Sequence, residues 1–193
     1  MFLELLSKLN FFDFIILIIL IRICSIGAKM GFSIEIFKLL GVTFSTYIGL
    51  HYYAVISALI QSQFLPKGVP LEVIDFIIFL LLVVIGYLCF VVLRNILFRF
   101  MQFNAIPKIN QFFGLVLGIG RGFLVVGLLS FTLVISNVAY FSNSVKYAYL
   151  GQRALAISPR VYDWLWMSVF SKFFPEEKFN PQVNEVISKF NRK

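Results

Sequence analysis

Arg121 stands inside an apolar, glycine-patterned run, Phe113-Gly114 through Gly118-Ile-Gly120-Arg121-Gly122 to Gly127. Gly114, Gly118 and Gly122 fall four residues apart, which on a helix makes one smooth groove where a second backbone can approach closely. Seven residues after Gly114, at ~100° per residue, the guanidinium emerges within ~20° of that glycine and on the packed side. It lies about eleven residues into its span, ~16 Å at 1.5 Å per residue and near mid-bilayer. Left unpaired there, an arginine costs at least ~2.5–3.5 kcal/mol, so a carboxylate or a water-filled cavity must accompany it. Glu35 is the nominated acid, with Asp13 and Asp75 behind it. Two roles are open: an Arg–Glu clamp fixing the second span against the fourth, or the polar lining of a conduction path. Because Arg121 shares the glycine face, that face is expected to pack inside the protomer against the second span, leaving aromatic-rich faces to lipid.

No catalytic constellation accompanies these charges. His51, the single histidine, has no serine or cysteine nucleophile in a recognisable setting, and no His/Cys/carboxylate group has metal-ligand spacing. It reads as a hydrogen-bonded interfacial residue rather than a proton relay. Gly118-Ile-Gly120-Arg-Gly122 superficially matches a dinucleotide loop but lacks the strand that such a loop follows. No catalytic, cofactor-binding or metal residues are expected. Cys24 and Cys89 both sit in apolar runs and read as small hydrophobes rather than a disulfide or zinc pair.

The elements that must position these residues are membrane spans. Of 193 residues, 60% are hydrophobic, 13% charged and 24 are phenylalanine, and the mean hydropathy is +0.92. Soluble domains carry about 25% charge. The composition therefore defines an all-α integral membrane protein whose principal partner is the lipid bilayer. The net charge of +8 comes from bases that flank apolar runs, the pattern of snorkelling and topology-setting residues rather than of a nucleic-acid stripe. The first apolar run continues to Arg22 without a small-residue cleavage pattern, so a retained span is expected.

Four spans are expected at about 11–26, 32–60, 71–101 and 110–138, together forming a transmembrane domain over 1–140. The Phe2–Leu9 stretch extends the first span or lies at the interface. Gly27 to Gly31 is read as a tight polar turn. Gly41, Ser45 and Gly49 make a second close-packing stripe. The stretch Gln61 to Pro70 is a loop, and Asn104 to Pro107 is a helix break. Asp13-Phe-Ile-Ile in the first span is echoed by Asp75-Phe-Ile-Ile in the third. Beyond, 141–174 becomes amphipathic: Ser158 can cap a helix, Pro159 can begin it, and Tyr162, Trp164 and Trp166 suit the headgroup boundary as interfacial anchors. Residues 175–193 form a polar tail with a helical turn or two from Pro181. Arg22, Lys29, Lys38, Arg94, Arg99 and Lys108 flank the first and third turns, against Lys8, Lys67, Lys146, Arg153 and Arg160 on the other side. This slight excess favours the two short turns inside and both termini outside.

Several blocks occur together in order: Asp13; Gly31-Phe32 with Glu35; His51-Tyr52-Tyr53; Phe113-Gly114 through Gly118-Ile-Gly120-Arg121-Gly122; and Pro159-Arg160 with Trp164. In that order and spacing the chain resembles the CvpA (colicin V production protein) family over nearly its whole length. Two departures stand out. Met30 and Lys29 replace the family's arginine before Gly31-Phe32, and Asn110-Gln111 replaces an Asp-Arg pair, which removes an ion pair from that corner. The resemblance implies a four-span protein of the bacterial inner membrane, an accessory factor for colicin V production or export and envelope homeostasis without catalysis or cofactor. A homo-oligomer or an envelope or export protein is the implied partner. The alternative is a small channel or transporter component with Arg121 on a polar path.

Overall fold

The computed structural model describes residues 10–64, 68–100 and 107–192. The Phe2–Leu9 stretch, the middle of the Gln61–Pro70 loop and the Asn104–Ile106 break lie outside the described residues. Every regular element among the described residues is helical. Four helices are long and apolar enough to cross a membrane: α1 (Phe11–Met30), α2 (Phe32–Phe64), α3 (Leu71–Phe100) and α4 (Pro107–Ile135). Shorter helices follow: α5 (Ala139–Lys146), α6 (Tyr149–Leu155) and α7 (Ile157–Leu165), which runs through a π-helical turn (Trp166–Phe170) into Ser171–Phe173. The chain then closes with α8 (Gln182–Arg192).

The first two spans do not form a packed hairpin. α1 continues to Met30, beyond the expected 26, and only Gly31 separates it from α2. Gly31 has φ +79°, a left-handed value that a residue with a Cβ resists. α4 enters the angle so formed. It packs along α1 on one side and α2 on the other, while α1 and α2 scarcely meet. α2 in turn packs on α3, giving the lateral order α1, α4, α2, α3. In the apolar windows, 56% of α2 is buried against 11% of α3, so α2 is the central post and α3 the outer wall. The outward side chains of α3, among them Ile77, Leu81, Ile85 and Leu88, are exposed hydrophobics and suit lipid.

The two small-residue stripes serve two different neighbours. Gly41 and Gly49 of α2 receive Phe90 and Val83 of α3, while Gly86 of α3 lies against Ser45. The α4 stripe meets α1, not α2 as its register with Arg121 suggests: Gly114 abuts the Gly27 carbonyl and Gly31, Gly118 faces Gly27 and Cys24, and Gly122 faces Leu20. The reason is geometric. Successive residues four apart rotate by ~40°, so the three glycines spread over ~80° and Arg121 stands at their edge, ~60° from the centre of the stripe, from where its long side chain reaches α2. Gly27 therefore lies within the helix, where its missing side chain admits α4. Cys24 is half-buried beside this contact, and Cys89 is exposed on α3.

A Cβ at Gly27 would stand 2.6 Å from the Gly114 carbonyl oxygen, whereas one at Gly120 would meet nothing within 4 Å. Gly27→Ala is expected to cost ~1–3 kcal/mol by overpacking against backbone. Gly120→Ala should be neutral or stabilise by up to ~1 kcal/mol through helix propensity. Thermal unfolding in micelles checks the pair, and equal midpoints would contradict the packing.

Candidate functional site

Two polar clusters sit on α2, one at its first turn and one past its middle. The first begins at the Gly31 corner. The Asn110 side-chain carbonyl accepts the Phe32 N–H at 2.8 Å, satisfying one of the orphan donors at the start of α2. Asn110 thus serves the corner as an uncharged cap. One turn on, Glu35 is fully buried. Its Oε1 lies 2.5 Å from Arg121 Nε and its Oε2 lies 3.4 Å from Lys38 Nζ. Arg121 is itself 8% exposed.

Arg121 follows Pro107 by fourteen residues, ~21 Å of rise, yet its head group is level with the first turn of α2. Helical Cα–Cβ bonds tilt toward the N-terminus, so the long side chain runs back toward the corner end. The charge is thereby nearer the membrane boundary than the position of its Cα implies. One carboxylate serves two cations, leaving an excess positive charge, and Arg121 Nη2 is buried with no hydrogen-bond partner among the described residues.

Asp13 and Asp75 lie at the other end of the bundle. Asp13, fully buried, accepts the Asn10 N–H at 2.9 Å in a capping box. It also accepts the Tyr149 and Leu150 N–H groups at 3.0 and 2.7 Å, so the acid that opens α1 also holds the start of α6. Asp75 is half-buried beside Ser57, on the same wall as Tyr53 and Glu72.

The second cluster joins α2 to the C-terminal segment. Glu177 Oε2 is 3.1 Å from His51 Nε2, and its Oε1 accepts the Tyr52 hydroxyl at 2.7 Å. His51 Nδ1 lies 2.9 Å from the Tyr162 hydroxyl. That hydroxyl accepts the Asn180 N–H at 3.0 Å, while Asn180 Nδ2 donates to the Leu50 carbonyl at 2.7 Å. Since a tyrosine hydroxyl has one proton to give, Tyr162 donates to Nδ1 of the neutral ring and Nε2–H faces Glu177. Burial pushes Tyr162 up to about 12 and also raises Asp163, so the Tyr162 proton stays in place near neutrality.

Aromatic stacking completes this cluster. Tyr47 stacks on Phe170 with centroids 3.5 Å apart, His51 on Trp166 at 5.3 Å and Tyr162 on Phe179 at 5.0 Å. The π-helical turn that begins at Trp166 adds backbone between Trp166 and Phe170, and both rings are laid on α2. Of the three tryptophan and tyrosine residues expected at the headgroup boundary, Trp164 is open at 62% exposure, whereas Tyr162 is fully buried and Trp166 half-buried. Ser158 does not cap α7, which has no side-chain cap. Its hydroxyl donates to the Leu124 carbonyl at 3.4 Å and touches Gly127, where a Cβ would lie 2.6 Å away. The tail helix is longer than a turn or two and buries Val183 and Phe190.

Glu177, Asn180 and Asn110 were missed by sequence reasoning. Each is a polar residue in a polar or irregular stretch, where no periodicity distinguishes a ligand from a solvated side chain. Among the described residues no group of three His, Cys, Asp or Glu is placed to hold a metal.

The four long apolar helices define an all-α polytopic membrane protein. Residues 12–176 match the family model for colicin V production protein, and the chain belongs to that family. No curated protein and no solved structure matches it.

Two variants test the clusters. Glu35→Leu should cost about 3–5 kcal/mol, because it leaves the buried Arg121 uncompensated, and Arg121→Leu should cost less, because Lys38 still faces Glu35. The double replacement should recover part of that loss, and fully additive losses in folded yield would dismiss the pairing. Tyr162→Phe should strand His51 Nδ1 and the Asn180 N–H at ~1–3 kcal/mol each. Limited proteolysis between Phe174 and Asn180 should then accelerate while the spans stay protected; unchanged cleavage would show that this cluster does not hold the tail.

Proposed function

We propose that the protein is an inner-membrane accessory factor of bacteria, supporting colicin V production or export and envelope homeostasis by holding a partner rather than by catalysis. The observation that carries this reading is the fate of its reactive side chains. Glu35, Asp13, His51 and Glu177 are each engaged by groups of the same chain, so each braces separate elements of the fold together. The chain offers other molecules its broad apolar α3 wall and its C-terminal segment, surfaces suited to a second copy or to an envelope or export protein. In cells lacking the protein, secreted colicin V should fall and outer dye penetration should rise, with both restored by the wild-type chain. Normal secretion and permeability would overturn the assignment.

A second reading, a small channel or transporter component, draws on one feature. A cavity of about 370 Å³ between α2, α3 and α4 includes Arg121, Ser45, Tyr87 and Thr132 among mostly apolar side chains. Liposomes carrying the protein are expected to show no ion flux. Flux that Arg121→Leu abolishes in folded protein would install this second reading in place of the first.

A further inference from the structure

A second, unrelated concavity lies at the C-terminal end of the bundle. It has a volume of about 580 Å³ and is lined by Lys146, Gln152, Arg153, Arg160, Phe190 and Asn191, along with Ala156. Its three cations come from three successive helices, α5, α6 and α7, and its lining contains no carboxylate. The acids of the neighbourhood are engaged elsewhere: Glu177 with His51 and Tyr52, Glu185 with Lys189. Asp163, three residues after Arg160, is turned inward with its Oδ1 buried. None of the three bases has an ion-pair partner among the described residues.

The rim is also fixed. The Gln152 amide donates to the Lys146 carbonyl, tying α5 to α6. The Arg153 guanidinium lies 4.1 Å above the Tyr149 ring, a face-on contact that leaves its edge N–H donors directed outward. Three like charges held around one hollow repel one another, and an occupant bearing clustered anionic oxygens removes that repulsion while accepting charge-assisted hydrogen bonds. A phosphate group has that shape and charge.

We propose that this hollow is a binding site for a phosphate-bearing anion, with Arg153 and Arg160 as forked donors, Lys146 as a point charge, and the amides of Gln152 and Asn191 at its edge. The site is independent of the accessory role and of the Arg121 cluster. Phosphate reaches a membrane protein either as a lipid headgroup or as a soluble compound. Tyr140 and Tyr147, both more than two-thirds exposed and close to Lys146 in the chain, are the residue type that settles at the headgroup level.

The test uses the full chain in phosphatidylcholine nanodiscs titrated with inorganic pyrophosphate, and in detergent with phosphatidylglycerol against phosphatidylcholine, read by native mass spectrometry. Wild type should bind pyrophosphate, or retain phosphatidylglycerol in preference, and the responding arm identifies the source. The triple variant Lys146→Gln, Arg153→Gln, Arg160→Gln should weaken that binding by at least about tenfold. A triple variant with the same loss of charge elsewhere, Lys108→Gln, Lys172→Gln, Lys178→Gln, should bind as wild type does. Arg153→Gln alone, at an exposed position, should lower affinity in the same arm and covers the case where the triple does not fold. The proposal is overturned if wild type responds in neither arm, if the cavity variants bind unchanged, or if the charge-matched control loses as much.

Discussion

The constraint on which this fold turns is the burial of a guanidinium among apolar helices. In hydrocarbon, Arg121 must meet a carboxylate, and the fold brings Glu35 to it. For the two to touch, α2 must run alongside α4 from its first turn. That requires α1 and α2 to part immediately at Gly31, whose positive φ makes the one-residue corner possible. It also requires α4 to sit in the angle, against Gly27 on one side and Glu35 on the other. The glycine stripe and the ion pair are thus two faces of one wedge, one closing on α1 by backbone approach and the other on α2 by charge. Lys38 places a second cation on the same carboxylate, which gives the cluster two bases to one acid.

The second cluster on α2 is closed by a different means. There the Glu177 carboxylate meets the His51 ring and the Tyr52 hydroxyl, and ring stacking adds to these bonds. His51 lies between Tyr162 and Glu177, and Asn180 holds the chain where it turns into the last helix. Asp13 gives its carboxylate to backbone N–H donors of α6, as Glu177 gives its own to the side chains of His51 and Tyr52 on α2. The C-terminal segment is therefore not merely laid on the membrane surface. Its inner face belongs to the core through Tyr162, Val183 and Phe190, and its outer face keeps Trp164, Met167 and Phe173 open. The bases that line the basic hollow face away from these pairs.

Much of this was legible from one-dimensional pattern. Apolar length and charge placement mark four spans, and the observed helices differ from the expected ones by a few residues at their ends. Those differences have a cause: Gly27 looks like a turn signal but serves as a contact, and Gln61 looks like a loop residue but donates to the Val69 carbonyl from the end of α2. The nomination of Glu35 for Arg121 came from the need to neutralise a buried charge, a requirement local to the residue. The assignment of the glycine face to α2 failed because Arg121 lies at the edge of the stripe, so the stripe can close on α1 while the long arginine side chain reaches Glu35 on α2.

Sequence by itself determined the class of protein, the spans, the close-packing stripes and the existence of a partner for Arg121, because each follows from transfer energy, helix periodicity or the cost of an unpaired charge. Tertiary structure alone decided which helix each stripe meets, that α4 rather than α2 lies against α1, and that Glu177, Asn180 and Asn110 complete the two clusters. The physical reason is that hydropathy, lowest for the most buried span α2 and highest for the outer span α3, marks how central a helix is but not which neighbour each of its faces meets. Only the side-chain shapes at each interface choose the neighbour, and the polar residues that lock the choice come from stretches remote in the chain.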